Sequence, residues 1–95
     1  MDFRKGYDMS KVRLAIQFNQ MPPYDMQLGW IDLMDRALTQ KTKDYIEHGS
    51  FDLRILAVLI KQSILEAKSE EQIDGLLWSK LHDTNLVTGL MGKIL

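Results

Sequence analysis

The chain has 95 residues, 45% hydrophobic and 26% charged, with a formal net charge of −1. That length suits one domain with a modest core, the composition argues against disorder, and the near-zero charge excludes a whole-protein field that would hold nucleic acid or an anionic membrane. The absence of cysteine removes disulfides, thiolate metal sites and cysteine nucleophiles, and fits a reducing, cytoplasmic setting.

Residues 1–10 read as a flexible arm, with charges, Gly6 and no periodicity. No apolar stretch follows the charges, so no signal peptide is expected. From Lys11 to Phe18, Val12, Leu14, Ile16 and Phe18 alternate with Arg13, Ala15 and Gln17. Alternation is the strand pattern and gives strand a slight edge, while the i,i+4 pairs Val12/Ile16 and Leu14/Phe18 keep a helix open. Met21, Pro22 and Pro23 punctuate the chain, because neither proline donates a backbone hydrogen bond and each disfavours helix in its predecessor.

A helix can start after the prolines. Leu28, Ile31, Met34 (or Asp35) and Leu38 form its stripe, joined by Trp30, Leu33 and Ala37, with Asp25 favoured by the dipole at its start. The polar stretch Thr39 to Thr42 either ends this helix or forms its exposed side, and Tyr45 and Ile46 return to the core. His48, Gly49 and Ser50 make the next break, with Gly49 suited to a left-handed cap and Ser50 to an N-cap.

The run from Phe51 to Leu65 is the most apolar in the chain. As a helix it is hydrophobic on nearly every side, with Leu53, Leu56, Ile60 and Ile64 on one stripe and Ile55, Val58, Leu59 and Gln62 on another. Such a helix is buried by other elements. Its longest uninterrupted apolar stretch, Ile55 to Ile60, is far below the roughly 20 residues of a membrane span. Ser69 and Gln72 have capping-box spacing and open a helix that turns Ile73, Leu76, Leu77 and Leu81 inward, with Trp78 at its flank. Asp83, Thr84 and Asn85 can start a last helix over 86–95. The expected architecture is mainly all-α: a single domain, 1–95, of four to five helices around a buried central helix at about 51–68, with the stretch 11–18 as an N-terminal β-strand or a further helix.

Catalytic groups are sparse. His48 and His82 sit at expected helix ends, where an imidazole can cap carbonyls. Neither has a partner at i+3 or i+4 in a metal-ligand pattern. The carboxylates Asp25, Asp32 and Asp35, and Glu66, Glu70, Glu71 and Asp74, fall on polar faces and read as solvated surface. Gly89 and Gly92 lack the preceding strand and the Gly-Lys-Ser/Thr of a phosphate loop. No catalytic residue, metal ligand or cofactor is expected, and the chain reads as a non-enzyme. A helix-turn-helix across Lys41 to Leu59 is disfavoured, since Tyr45 is too large for the packing position and Phe51 to Ile60 has almost no polar face.

An alternating basic strand followed by two helices, the second after Gly49 and Ser50, resembles in outline the ribbon-helix-helix repressors. That resemblance implies a dimer whose paired strands enter the major groove, with Lys11, Arg13 and Gln17 toward the bases and Arg4 and Lys5 on phosphates. The strand-to-turn distance is longer here than in that family, which puts the alignment of the helices in doubt. The preferred expectation is different. Six methionines in 95 residues supply adaptable apolar surface, and the segment from Leu86 to Leu95 is apolar to its end and must dock on its own core or on a partner. The chain is therefore read as a protein–protein interaction module, acting as a regulator, inhibitor or assembly factor and self-associating as a homodimer. Its expected contact residues are Trp30, Met34, Trp78, Leu90, Met91, Ile94 and Leu95. A dimeric DNA-binding regulator is the alternative, and no membrane partner is expected.

Overall fold

The computed structural model describes residues 9–18 and 24–94, which form six helices and no strand. Residues 1–8 of the expected arm, including Arg4 and Lys5, lie outside the described residues, as do Met21, Pro22, Pro23 and Leu95 and the side chains of Phe18 and Tyr24. The helices are α1 (Ser10–Phe18), α2 (Tyr24–Ala37), α3 (Gln40–His48), α4 (Leu53–Glu66), α5 (Glu70–Leu81) and α6 (Thr84–Ile94).

The all-α architecture is as expected, and α4 is its centre. It packs against α1, α5 and α6, while α2 spans from α1 to α5 and α3 rests partly on α1. Helix α4 places Ile55, Leu56, Ala57, Leu59 and Ile60 in the core, all but sealed from solvent. Its one buried hydroxyl, Ser63, donates to the Leu59 carbonyl (2.8 Å), so burial leaves no unpaired donor. The helix ends where the Ala67 N–H reaches back to Ser63 O (3.1 Å) and Ala67 turns extended.

Two details of its entry differ from expectation. The helix starts at Leu53, and Asp52, not Ser50, is the N-cap: its carboxylate accepts from the Arg54 N–H (2.8 Å). Gly49 is extended (φ −85°, ψ 167°) and makes no left-handed cap. What holds glycine there is space. A Cβ at Gly49 would lie 2.5 Å and 2.9 Å from the Phe51 ring and 2.9 Å from the Tyr45 carbonyl oxygen.

The stretch 11–18 is helical, and the strand is overturned. Met9, Val12, Ala15 and Ile16 are each at most 1% exposed, a stripe at helical spacing, while Leu14 faces out at 51%. Ala15, which a strand reading would leave idle, is wholly buried. Of the residues expected in the arm, Ser10 belongs to this element and Met9 leads into it: the Arg13 N–H bonds the Met9 carbonyl (2.9 Å).

The sixth helix arises because the polar stretch after α2 starts a new element. Thr39 is extended and its hydroxyl accepts from the Thr42 N–H (3.4 Å), the N-cap of α3. Further on, Ser69 caps without a side-chain bond, and Gln72 supplies the reciprocal half of the box one residue earlier, its Oε1 accepting from the Lys68 N–H (2.8 Å). Asp83 opens α6 as expected, its carboxylate accepting from the Leu86 N–H (3.0 Å).

Candidate functional site

Side chains of α3 meet those of α5 and of its C-cap along an aromatic seam. Lys41 and Tyr45 on α3, and Trp78 on α5 with the C-cap His82, are each four residues apart and so share a face. Tyr45 stacks on His82 (centroids 4.5 Å, 18° between planes) and meets Trp78 at 5.3 Å and Phe51 at 5.5 Å. Trp78 and His82 approach to 4.3 Å, and the Lys41 ammonium sits 4.2 Å from the centroid of the Trp78 ring, a cation–π contact. The His82 Nδ1 lies 2.8 Å from the Trp78 carbonyl oxygen. A carbonyl only accepts, so Nδ1 carries the proton and the ring is fixed against the indole. His48 makes the same contact with Asp44 O (2.9 Å). Both histidines thus cap carbonyls as their positions imply.

Polar contacts surround this seam. Lys43 is buried, and its ammonium donates to the Asp35 carboxylate (2.9 Å) and to the Asp35 carbonyl (3.0 Å). Asp35 is therefore half-buried and paired, not the solvated carboxylate that its spacing indicates. The Asp74 carboxylate accepts from the Thr39 N–H (2.8 Å) and hydroxyl (3.2 Å). At the other end of α3, Glu47 accepts from the Ser10 hydroxyl (2.5 Å) and the Lys11 N–H (3.4 Å), and the Lys11 ammonium donates to the Gly49 carbonyl.

On the surface, Arg36 pairs with Glu70 (2.8 Å) and Lys80 with Glu66 (2.5 Å). The hydrogen bond and charge of Glu70 raise the Arg36 guanidinium above the ordinary arginine range. Arg54 bonds the Asp52 carboxylate, which this contact and the Arg54 N–H hold below the ordinary carboxylate range. The same pairing raises Arg54. No group of three or more histidine or carboxylate side chains among the described residues could hold a metal ion.

Helix α6 has another character. Leu86, Val87, Leu90 and Ile94 pack on the core half-buried, none of its residues is fully buried, and Met91 is 46% exposed. From Thr84 to Gly92 it carries no charged residue, and its outer stripe is Asn85, Thr88, Gly89 and Gly92. A Cβ at either glycine would meet nothing within 4 Å.

The residues expected to contact a partner therefore divide. Leu90, Met91 and Ile94 come together on α6. Trp78 stands in the ring cluster, Trp30 is half-buried against the core on α2, and Met34 is wholly buried. Of the residues assigned to DNA, Arg13 and Gln17 are exposed on α1, while Lys11 is engaged with Gly49. The paired strands that a ribbon needs have no counterpart among the described residues. Sequence reasoning missed Lys41, Tyr45 and Phe51 as ring partners. The i,i+4 spacing of Lys41/Tyr45 and Trp78/His82 was the available signal. Leu28, expected on the inward stripe of α2, is 68% exposed, and Leu14 and Leu65 are exposed apolar side chains that sequence reasoning did not single out.

No helix among the described residues is long and apolar enough to cross a membrane. Comparison of the chain with protein-family models, with curated proteins and with solved structures returns no match.

Proposed function

We propose that this chain is a non-enzymatic protein-interaction module, a regulator, inhibitor or assembly factor, that associates with its own copies through α6. One observation carries the reading. In a chain where 26% of residues are charged, α6 runs from Thr84 to Gly92 without a charge and buries no side chain completely. Surface helices ordinarily turn charged residues to solvent. An uncharged outer face with Met91 at its margin suits a protein contact better than open water. The same face on two copies also meets without charge repulsion, which suits the isologous contact of a two-fold dimer.

The test is sedimentation velocity on the full chain from low micromolar to submillimolar concentration, repeated with Met91→Glu. Reversible association is expected for the parent chain. Each association buries two copies of the substituted face, so the variant should need at least tenfold higher concentration, with unchanged helical circular dichroism. A parent chain that stays monomeric throughout removes self-association. Association that Met91→Glu leaves intact removes α6 as the face.

A further inference from the structure

We infer that α3 is a polar-latched strap that unwinds as a local unit while the rest of the fold stays intact, baring the half-buried Trp78 on α5 and the face of the C-cap His82 that Tyr45 stacks on. The inference goes beyond the interaction reading and does not depend on it.

It rests on how differently α3 is held from its neighbours. Over nine residues, α3 places only one apolar side chain, Ile46, fully in the core, beside the buried polar residues Thr42 and Lys43. Helix α1 is equally long and is sealed by Val12, Ala15 and Ile16, with Met9 just before it. Helix α6 also lacks a fully buried side chain, yet it rests Leu86, Val87, Leu90 and Ile94 on the core. A nine-residue helix is too short to persist without tertiary support.

That support is polar and spread over three partners. Lys43 grips Asp35 on α2, Thr39 grips Asp74 on α5, and Glu47 receives Ser10 and Lys11 of α1. Tyr45 and Lys41 add ring contacts with Trp78 and His82. The Lys43 pair adds little net stability, because desolvation of the ammonium offsets much of its attraction to Asp35. Unwinding returns Lys43 to water and gives up few apolar contacts. The ends of α3 need not separate, since Leu38 stays in the core just after α2 and Leu53 stays on α4. Segments with few buried apolar contacts open below the global unfolding free energy. With α3 open, the rings of Trp78 and His82 lose the Tyr45 and Lys41 that now cover them.

The experiment is native-state hydrogen exchange on the full chain, read amide by amide. Amides of residues 43–48 are expected to exchange at least tenfold faster than those of Leu56 to Ile60 in α4, with a weaker dependence on denaturant. Asp35→Asn removes the counter-charge of Lys43 and should speed exchange in α3 by roughly another tenfold, leaving α4 unchanged. Asp74→Asn, at the exposed Thr39 contact, is the milder second variant and should act in the same direction. One common rate for α3 and α4 in the parent chain overturns the inference. So do variants that leave α3 unchanged or that speed both helices by the same factor.

Discussion

At the scale of single residues, the same residue type has opposite consequences at two positions, and the surroundings decide which. Gly49 sits where a methyl group would press on the Phe51 ring and on the Tyr45 carbonyl oxygen, and the carbonyl belongs to a helix that cannot readily shift. Gly75 lies inside α5 with nothing within 4 Å of an added Cβ. Gly49→Ala is therefore expected to destabilise by about 1–3 kcal/mol, the usual cost of overpacking. Gly75→Ala should stabilise by about 0.5–1 kcal/mol, because alanine gives up less backbone freedom in a helix. Chemical denaturation of the two variants checks both signs, and a neutral Gly49→Ala would mean that the 49–52 turn relaxes freely. Sequence suggested glycine's conformational freedom as the reason for residue 49. The operative reason is a ring two residues further on, a packing fact that the residue type alone does not carry.

At the scale of elements, burial periodicity was the legible signal wherever it ran long. The Phe51 to Leu65 run identified α4 as the centre, and Ile73, Leu77 and Leu81 identified the inner face of α5. Over eight residues the signal failed, because Val12 and Ile16 satisfy both periods at once. Met9 and Ala15 resolve the ambiguity: their burial completes a helical stripe, but one had been assigned to the arm and the other is too small to register as apolar pattern. Helix α3 was harder still, since its inward face is Thr42, Lys43 and Ile46, which no hydrophobic pattern finds.

The contrast between the two faces of α4 can be measured. Leu59 is fully buried, whereas Leu65 is 68% exposed at the end of the same helix. Leu59→Ala should cost about 2–5 kcal/mol, transfer and cavity together. Leu65→Ala should change stability by no more than about 0.5 kcal/mol. Thermal unfolding followed at 222 nm separates them by many degrees. Similar shifts for the two would place the α4 axis in the wrong rotation.

At the scale of the whole molecule, what sequence could not show is long-range pairing. Asp35 and Asp74 looked like solvated carboxylates because their partners, Lys43 of α3 and its N-cap Thr39, belong to another element, and Lys11 looked free to meet DNA because the Gly49 carbonyl lies 38 positions away. The candidate surface was legible only in part: Leu90, Met91 and Ile94 share α6, whereas Met34, chosen on the same grounds, is core. The contribution of α1 follows from the same long-range logic. It packs mainly on α4, across two intervening helices, and with Met9 it supplies four side chains that are at most 1% exposed. Each large apolar side chain sealed in this way contributes about 1.5–3 kcal/mol. The sum is comparable with the roughly 5–15 kcal/mol that stabilises a domain of ordinary size. A chain beginning at Tyr24 would leave the flank of α4 that α1 covers in water. It is expected to lose the sigmoidal thermal transition of the full chain and to bind a hydrophobic dye at room temperature, while keeping part of its helical signal. If the shortened chain instead melts cooperatively within a few degrees of the parent, α4 is held by α5 and α6 alone, and α1 is an accessory to the core.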